Sequence, residues 1–243
     1  WLMPVFPSPS RAGYDVLGLD HVRAEYGGDE ALADVIAGAE LRGMRVMLDT
    51  PINHTARSHP WFQEAERDPD ADMRDRYVFG REQWDTLRWH PAEGGDWYYG
   101  YFGAGYPDLD WTQPAVSRHI RARLDGWLDR GVAGFRIDAV KQLIEEHGDI
   151  SDTPSGHCLM AWMNGQLKAH DPEARVLAEA WTQNAEASAQ YLGTAARPQA
   201  DMLLDVPRYR AFLKAFEVGG PSRLRHKLLP EEQDWDIIHR MGS

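Results

Sequence analysis

The sequence has little cysteine, a deficit of basic residues and no long apolar run. Its single cysteine, Cys158, cannot form a disulfide within the chain. Lys and Arg total 26 against 38 Asp and Glu, a formal net charge of −12 at pH 7. This acidity opposes binding to nucleic acid and to anionic membranes, and no apolar run approaches the roughly 18 residues of a membrane helix. We therefore expect a soluble protein, secreted or cytoplasmic, with neither nucleic acid nor membrane as a partner.

The sequence also lacks the glycine-rich signatures of nucleotide binding. No G-x-G-x-x-G or Walker-type loop follows a predicted strand, and no repeat or low-complexity tract is present. The composition, 43% hydrophobic and 26% charged, is that of a globular chain. The sequence thus predicts one large domain, with or without an insertion, that uses no organic cofactor.

Strand-like and helical segments alternate along much of the chain. Predicted strands cover 1–6, 45–50, 134–138, 175–180 and 201–205, and predicted helices cover 29–42, 115–130, 156–170, 184–192 and 208–216. Such alternation predicts an α/β fold with a parallel sheet. Two architectures fit: an open doubly wound sheet, or a (β/α)8 barrel of which about five strands are present.

Residues 55–113 interrupt this alternation. They are rich in Gly, Pro, Asp and aromatic residues, with many Trp and Tyr in 84–111, and no helical or alternating period is sustained. We interpret them as an inserted, loop-rich subdomain. Flat aromatic faces with polar edges suit sugar rings, but the same residues could simply form the core of the subdomain.

Polar residues stand at the ends of three successive predicted strands. Asp49 lies in the first, Arg136 and Asp138 close the second ("GFRIDAV", 134–140), and Glu179 ends the third. A single buried Asp–Arg pair is more often structural, but three polar strand ends at one rim favour a site, since chemistry in α/β folds collects at the carboxyl ends of strands.

Two carboxylates about 5 Å apart are the arrangement of a retaining glycosidase, in which one attacks the sugar and the other is the acid/base. Arg136 lies two residues before Asp138 and points to the same side, which predicts a lowered pKa for Asp138. Glu179 has no cation within two residues, which predicts the less compensated carboxyl. This reasoning makes Asp138 the nucleophile and Glu179 the acid/base.

Several motifs, in this order, resemble those of the α-amylase family of retaining glycoside hydrolases and transglycosylases. They are "GYDV" (13–16), "DTPINH" (49–54), "PDLDW" (107–111), "GFRIDAVK" (134–141) and "LAEAW" (177–181). Each motif alone is weak, whereas together they are specific and extend over nearly the whole chain. The resemblance implies a (β/α)8 barrel with a subdomain inserted after its third strand.

The resemblance also implies roles for individual residues. Asp138 and Glu179 match the nucleophile and the acid/base, and Arg136 matches the arginine that orients the nucleophile. Asp49 matches a supporting residue, and Tyr14 and His54 match residues that contact the sugar at the cleavage subsite. Lys141 and Trp181 match positions on the leaving-group side. Asn53 and Asp108 are similar to calcium ligands of many α-amylases, although two side chains do not make a site and Asp108 could equally brace a loop.

The chain departs from the family at its C-terminal end. The family's third acid lies in an "NHD"-type motif after the seventh strand, and no such motif follows Glu179. We therefore expect an internal fragment spanning about strands 2–6, inactive or aggregation-prone alone because an open barrel exposes strand edges. The expected divisions are barrel (1–54), inserted subdomain (55–113) and truncated barrel (114–243).

The resemblance leaves several activities open. "DAVK" favours an enzyme that hydrolyses α-1,4-linked glucans such as starch and maltooligosaccharides, with a neutral α-glucan as its partner. An α-glucosidase, a transglycosylase or a trehalose-forming isomerase is the alternative. A non-catalytic sugar-binding relative is a further alternative, which the presence of Arg136, Asp138 and Glu179 disfavours.

Overall fold

The computed structural model describes residues 1–80, 87–146 and 148–217. Its strands, in chain order, are β1 (Leu48–Thr50), β2 (Phe79–Gly80), β3 (Trp89–Pro91), β4 (Trp97–Tyr99), β5 (Gly134–Ile137), β6 (Arg175–Ala178), β7 (Gly193–Thr194), β8 (Arg197–Pro198) and β9 (Met202–Leu203). The helices are α1 (Gly28–Glu40), α2 (Pro60–Arg67), α3 (Pro114–Asp129), α4 (Pro154–His170), α5 (Ala185–Ala189) and α6 (Val206–Glu217).

A four-stranded parallel sheet in the order β1-β5-β6-β9 forms the centre of the fold. Helices α3 and α4 precede β5 and β6, so each is a crossover between neighbouring parallel strands. The apolar side chains of the strands and the helices share one buried core. Phe6, in the segment before α1, joins this core through Trp127 of α3, with ring centroids 5.8 Å apart. The predicted parallel α/β sheet is confirmed.

The register of the sheet aligns the polar strand ends. Asp49 pairs with Arg136 across β1 and β5, and Ile137 pairs with Ala178 across β5 and β6. Since the strands are parallel, the residues that follow Ile137 and Ala178 leave the sheet at the same edge. This register carries Asp138 and Glu179 to one rim.

The crossover helices begin at sequence signals. Pro114 and Pro154 occupy the first turns of α3 and α4, where proline suits the helical φ angle and no backbone N–H is needed. Thr153 caps α4 by accepting a hydrogen bond of 3.1 Å from the Gly156 N–H. Both helices lie within two residues of their predicted bounds.

Residues 1–6 do not form the predicted strand. Their only ladder contact among the described residues is a parallel bridge between Leu2 and Leu48. The Leu2 N–H donates to the Met47 carbonyl, and the Asp49 N–H donates to the Leu2 carbonyl. Pro4 has no N–H with which to continue the ladder, so the segment follows β1 for one residue and then departs.

The segment predicted as an inserted, loop-rich subdomain contains more regular structure than its sequence indicates. Strands β2, β4 and β3 form an antiparallel sheet, and α2 packs against it. Phe62 of α2 contacts Tyr77 and Tyr98 edge to face, with ring centroids 5.1 and 4.8 Å apart. Several of the crowded aromatic residues are therefore core, whereas the first three residues of the aromatic-rich stretch 84–111 lie outside the described residues.

The segment between β6 and β9 consists of several short elements where the sequence predicts one helix. The helix predicted at 184–192 is α5 followed by a 3-10 turn at Gln190–Leu192, and a short antiparallel hairpin of β7 and β8 comes next. The final part of the predicted truncated barrel, 218–243, lies outside the described residues. None of the described helices is both long and apolar enough to cross a membrane.

Candidate active site

Four charged side chains converge at the carboxyl edge of the parallel sheet. Asp49 lies in β1, Arg136 in β5, and Asp138 and Glu179 directly follow β5 and β6. Arg136 Nη1 lies 2.6 Å from both Asp49 Oδ1 and Asp138 Oδ1, and its Nη2 lies 2.8 Å from Glu179 Oε1. One guanidinium thus binds three carboxylates, which leaves two negative charges in excess when all three are ionised.

Burial, and then the excess negative charge, favours a proton in the site. Burial raises the pKa of Asp138 to about 7, with the negative charges of Glu179 and Asp49 adding to it, and the attraction of Arg136 does not cancel these effects. Burial also raises the pKa of Asp49. Near neutral pH a substantial fraction of the molecules therefore carries a proton on this cluster.

The environment of Glu179 differs from the sequence-based expectation. Burial alone would raise its pKa, but hydrogen bonds from Trp181 Nε1 at 2.9 Å and the Ala139 N–H at 3.1 Å, together with Arg136, lower it. The prediction that Glu179 is the less compensated carboxyl is wrong, as is the predicted lowering of the pKa of Asp138. The reason is that Arg136, 43 residues earlier in the chain, is in direct contact with Glu179.

The protonation states of the two carboxyls depend on each other. Asp138 and Glu179 both contact Arg136, and the negative charge of Glu179 raises the pKa of Asp138. The pKa of Asp138 is raised, whereas that of Glu179 is lowered. A ligand that donates to Asp138 or accepts from Glu179 would draw the proton toward Glu179, because the two protonation states are coupled.

Tyr14 and His54, predicted to contact the sugar, lie beside this cluster. The Tyr14 hydroxyl donates to Asp49 Oδ2 at 3.2 Å, and the Arg136 guanidinium lies 5.7 Å from the Tyr14 ring centre. His54 Nε2 lies 3.2 Å from the Tyr14 carbonyl, and its Nδ1 is 3.4 Å from the Asn53 amide. Burial lowers the pKa of His54 to about 4, so its ring is neutral near pH 7.

Lys141 and Trp181, predicted on the leaving-group side, lie together at the open side of the site. Lys141 Nζ donates to the Trp181 carbonyl at 3.4 Å. The Trp181 side chain is half exposed, and the Arg210 guanidinium lies 5.2 Å from its ring centre. Trp181 is therefore exposed to solvent while its indole N–H donates to Glu179.

Two contributors to the site were not predicted. Trp1 Nε1 donates to Asp49 Oδ2 at 3.2 Å. Ala139 has a left-handed backbone, φ 52°, which turns its N–H toward Glu179. Strained backbone of this kind is concentrated at functional sites, but nothing in an alanine signals it in the sequence.

Asn53 and Asp108, the predicted calcium ligands, adjoin each other in the loops behind His54. Asn53 Oδ1 and Asp108 Oδ2 are buried and have no hydrogen-bond partner, and Glu145 Oε1 nearby has none either. Burial, and then the charge of Glu145, raises the pKa of Asp108. These oxygen atoms have the chemistry that calcium prefers, but in the described part of the chain no three His, Cys, Asp or Glu side chains are grouped to hold a metal.

The chain is similar to proteins of known families. The sequence model described as "Alpha amylase, catalytic domain" matches residues 1–209. A 4-alpha-glucanotransferase from Thermotoga neapolitana is 41% identical over 152 residues, covering 59% of this chain and 34% of that protein. A trehalose synthase/amylase from Mycobacterium tuberculosis is 33% identical over 195 residues, covering 74% of this chain and 32% of that protein. The chain thus spans about a third of the length of these curated relatives.

A solved structure extends the likeness to the fold. The crystal structure of an alpha-amylase from H. orenii matches with a TM-score of 0.84 at 28% identity, covering all of this chain and 49% of that one. This match confirms the predicted fold class, a part of a (β/α)8 barrel with loop-rich regions. With the family model matching residues 1–209, the chain belongs to the α-amylase family, whose enzymes are glycoside hydrolases and transglycosylases.

Proposed function

We propose that this chain carries the nucleophile and the acid/base of a retaining enzyme that cleaves α-1,4-linked glucans. The observation that supports this most is Arg136 bound to two carboxyls, Asp138 and Glu179, on neighbouring strand ends. A retaining mechanism needs one ionised and one protonated carboxyl, and the raised pKa of Asp138, due first to burial, favours one proton on the pair.

In the first step, the Asp138 carboxylate attacks the anomeric carbon and the glycosidic bond breaks. Glu179 gives its proton to the departing oxygen, leaving a glycosyl ester on Asp138. In the second step, Glu179 takes a proton from water or from a sugar hydroxyl, whose oxygen attacks the anomeric carbon and releases Asp138. Arg136 contacts both side chains and stabilises whichever of them is ionised at each step.

The experiment uses the full-length product of the reading frame that carries this chain. With maltoheptaose as substrate, Asp138→Asn and Glu179→Gln should each lower kcat by roughly 10³-fold or more. The matched controls are Asp34→Asn and Glu30→Gln, exposed residues of α1 that should leave kcat unchanged. Sugar binding with no turnover by the unmodified protein would instead favour a sugar-binding relative.

Transfer to a second sugar is the alternative reaction. It is favoured by the half-exposed Trp181 ring, a surface on which an acceptor sugar could stack, and by the 41% identical relative, which is named a 4-alpha-glucanotransferase. Analysis of products from maltoheptaose separates the two. Only shorter products indicate hydrolysis, whereas products longer than seven glucose units indicate transfer.

We also propose that Asn53 and Asp108 hold a structural calcium ion. Their buried, partnerless oxygen atoms would gain a ligand, and the ion would tie the β1 end of the barrel to the inserted segment. Calcium at 100 times its Kd should stabilise the EDTA-treated protein by about 2.7 kcal/mol.

Thermal unfolding with and without calcium measures this stabilisation. Asp108→Asn should abolish the rise in Tm, Asp34→Asn should retain it, and magnesium should not reproduce it. An unchanged Tm of the unmodified protein in millimolar calcium would contradict the proposal.

A further inference from the structure

A second group of polar side chains lies next to the candidate active site, around Lys141. We call Asp152, His157 and Tyr191 the Asp152 brace. Asp152 is in the loop that follows β5, His157 is in α4, and Tyr191 is in the 3-10 turn after α5. The catalytic steps described above make no use of these residues.

The brace holds the Asp152 carboxylate from one side. The Tyr191 hydroxyl donates to Asp152 Oδ1, and His157 Nε2 lies 3.6 Å from the same oxygen. The His157 and Tyr191 ring centroids are 4.5 Å apart, and His157 Nδ1 lies 2.8 Å from Gln199 Oε1. Tyr191 is fully buried, so the carboxylate is anchored to the protein core.

The Asp152 backbone is equally constrained. Its N–H donates to the Lys141 carbonyl at 2.8 Å, and its φ is +65°. A residue with a Cβ adopts this left-handed conformation reluctantly, although Asp and Asn tolerate it best. The next residue, Thr153, is the N-cap of α4. Backbone and side chain together fix the position of Asp152 Oδ2.

That oxygen faces Lys141. Lys141 Nζ lies 3.7 Å from Asp152 Oδ2 and 3.4 Å from the Trp181 carbonyl. An ammonium group has three donors, so these two contacts direct the ammonium and leave one donor for a ligand. The carboxylates around Arg136 carry excess negative charge and would attract an unbraced lysine toward them.

We propose that Asp152 is a positioning residue that holds the Lys141 ammonium at the leaving-group side of the site, where it binds the departing or accepting part of an α-glucan. Asp152 thereby favours sugar chains that extend past the cleaved bond, and a sugar over water as the acceptor. This inference rests on the proposed function, because it assigns a role within the same site.

The experiment compares two substrates of the full-length protein. Maltoheptaose occupies the leaving-group side, whereas α-maltosyl fluoride releases only fluoride and leaves that side empty. Asp152→Asn removes the charge and keeps a residue that tolerates a positive φ. It should lower kcat/KM for maltoheptaose about three- to fivefold, the scale of one partly exposed ion pair, and change kcat/KM for the fluoride by less than about twofold.

Three further variants make the comparison specific. Tyr191→Phe removes the anchoring hydroxyl. It should lower kcat/KM for maltoheptaose less than Asp152→Asn does and leave kcat/KM for the fluoride unchanged. In a Lys141→Met background, adding Asp152→Asn should change kcat/KM for either substrate by no more than about twofold, because the lysine that Asp152 positions is gone. Asp149→Asn, an exposed aspartate in the same loop, is the matched control and should change nothing.

The outcomes separate this inference from the proposed function. The role of Asp152 would be overturned, and the proposed function would stand, if Asp152→Asn lowered kcat/KM equally for both substrates or for neither. The same holds if its effect were undiminished in the Lys141→Met background. If the unmodified protein turns over neither substrate, the proposed function fails and this inference fails with it.

Discussion

At the scale of single residues, Arg136 determines the electrostatics of the site. Its two terminal nitrogens contact Asp49, Asp138 and Glu179 at 2.6 to 2.8 Å. The sequence predicts these charged residues as site residues because they stand at the ends of predicted strands. Their protonation could not, because it depends on contacts between segments far apart in the chain, such as Arg136 with Glu179.

Trp181 offers a direct test of how Glu179 is tuned. Its indole N–H lowers the pKa of Glu179, so Trp181→Phe should raise that pKa. A general acid loses activity as the pH rises through its pKa, so the alkaline limb of kcat/KM should move to higher pH.

The pH dependence of kcat/KM with maltoheptaose measures the shift in this limb. Trp162→Phe on α4, another partly exposed tryptophan, is the matched control and should leave the limb in place. An alkaline limb that stays put or moves to lower pH in Trp181→Phe would mean that Glu179 is not the acid.

At the scale of elements, periodicity predicted α1, α3 and α4 within two residues, because apolar spacing and proline starts are local signals. The strand expected at 1–6 is reduced to a bridge because Pro4 cannot donate to a ladder. Strands β2, β3 and β4 have two or three residues each, too few for alternation to be visible, and they form through contacts such as Phe62 with Tyr98.

Gly134 fixes the approach of β5 to β6. Its φ is +151°, and a Cβ there would lie 2.0 Å from the Arg175 carbonyl oxygen. Gly134→Ala must therefore push two paired strands apart, and we expect it to destabilise the protein by at least about 2–3 kcal/mol.

Urea unfolding measures this loss of stability. Gly165→Ala is the matched control: Gly165 lies in α4 with open space around it, so alanine should add about 0.5–1 kcal/mol of stability. Equal midpoints for Gly134→Ala and the unmodified protein would contradict the packing described for β5 and β6.

At the scale of the whole molecule, the parallel sheet acts as a platform that brings together residues from Asp49 to Glu179. Alternating strands and helices predict such a platform, and the family motifs narrow it to a (β/α)8 barrel, which the structural match confirms. Neither predicts which carboxyl holds the proton. Burial raises the pKa of Asp138 and hydrogen bonds lower that of Glu179, whereas the proposed mechanism needs the proton on Glu179 when substrate is bound.

The measurement that tests the central claim most directly is the identity of the residue that becomes glycosylated. A 5-fluoro-α-glucosyl fluoride should form a glycosyl ester that hydrolyses slowly enough for peptide mass spectrometry. The account predicts the added mass on the peptide that contains Asp138, and its absence from Asp138→Asn. An adduct on Glu179, or turnover of the fluoride in Asp138→Asn at the rate of the unmodified protein, would contradict it.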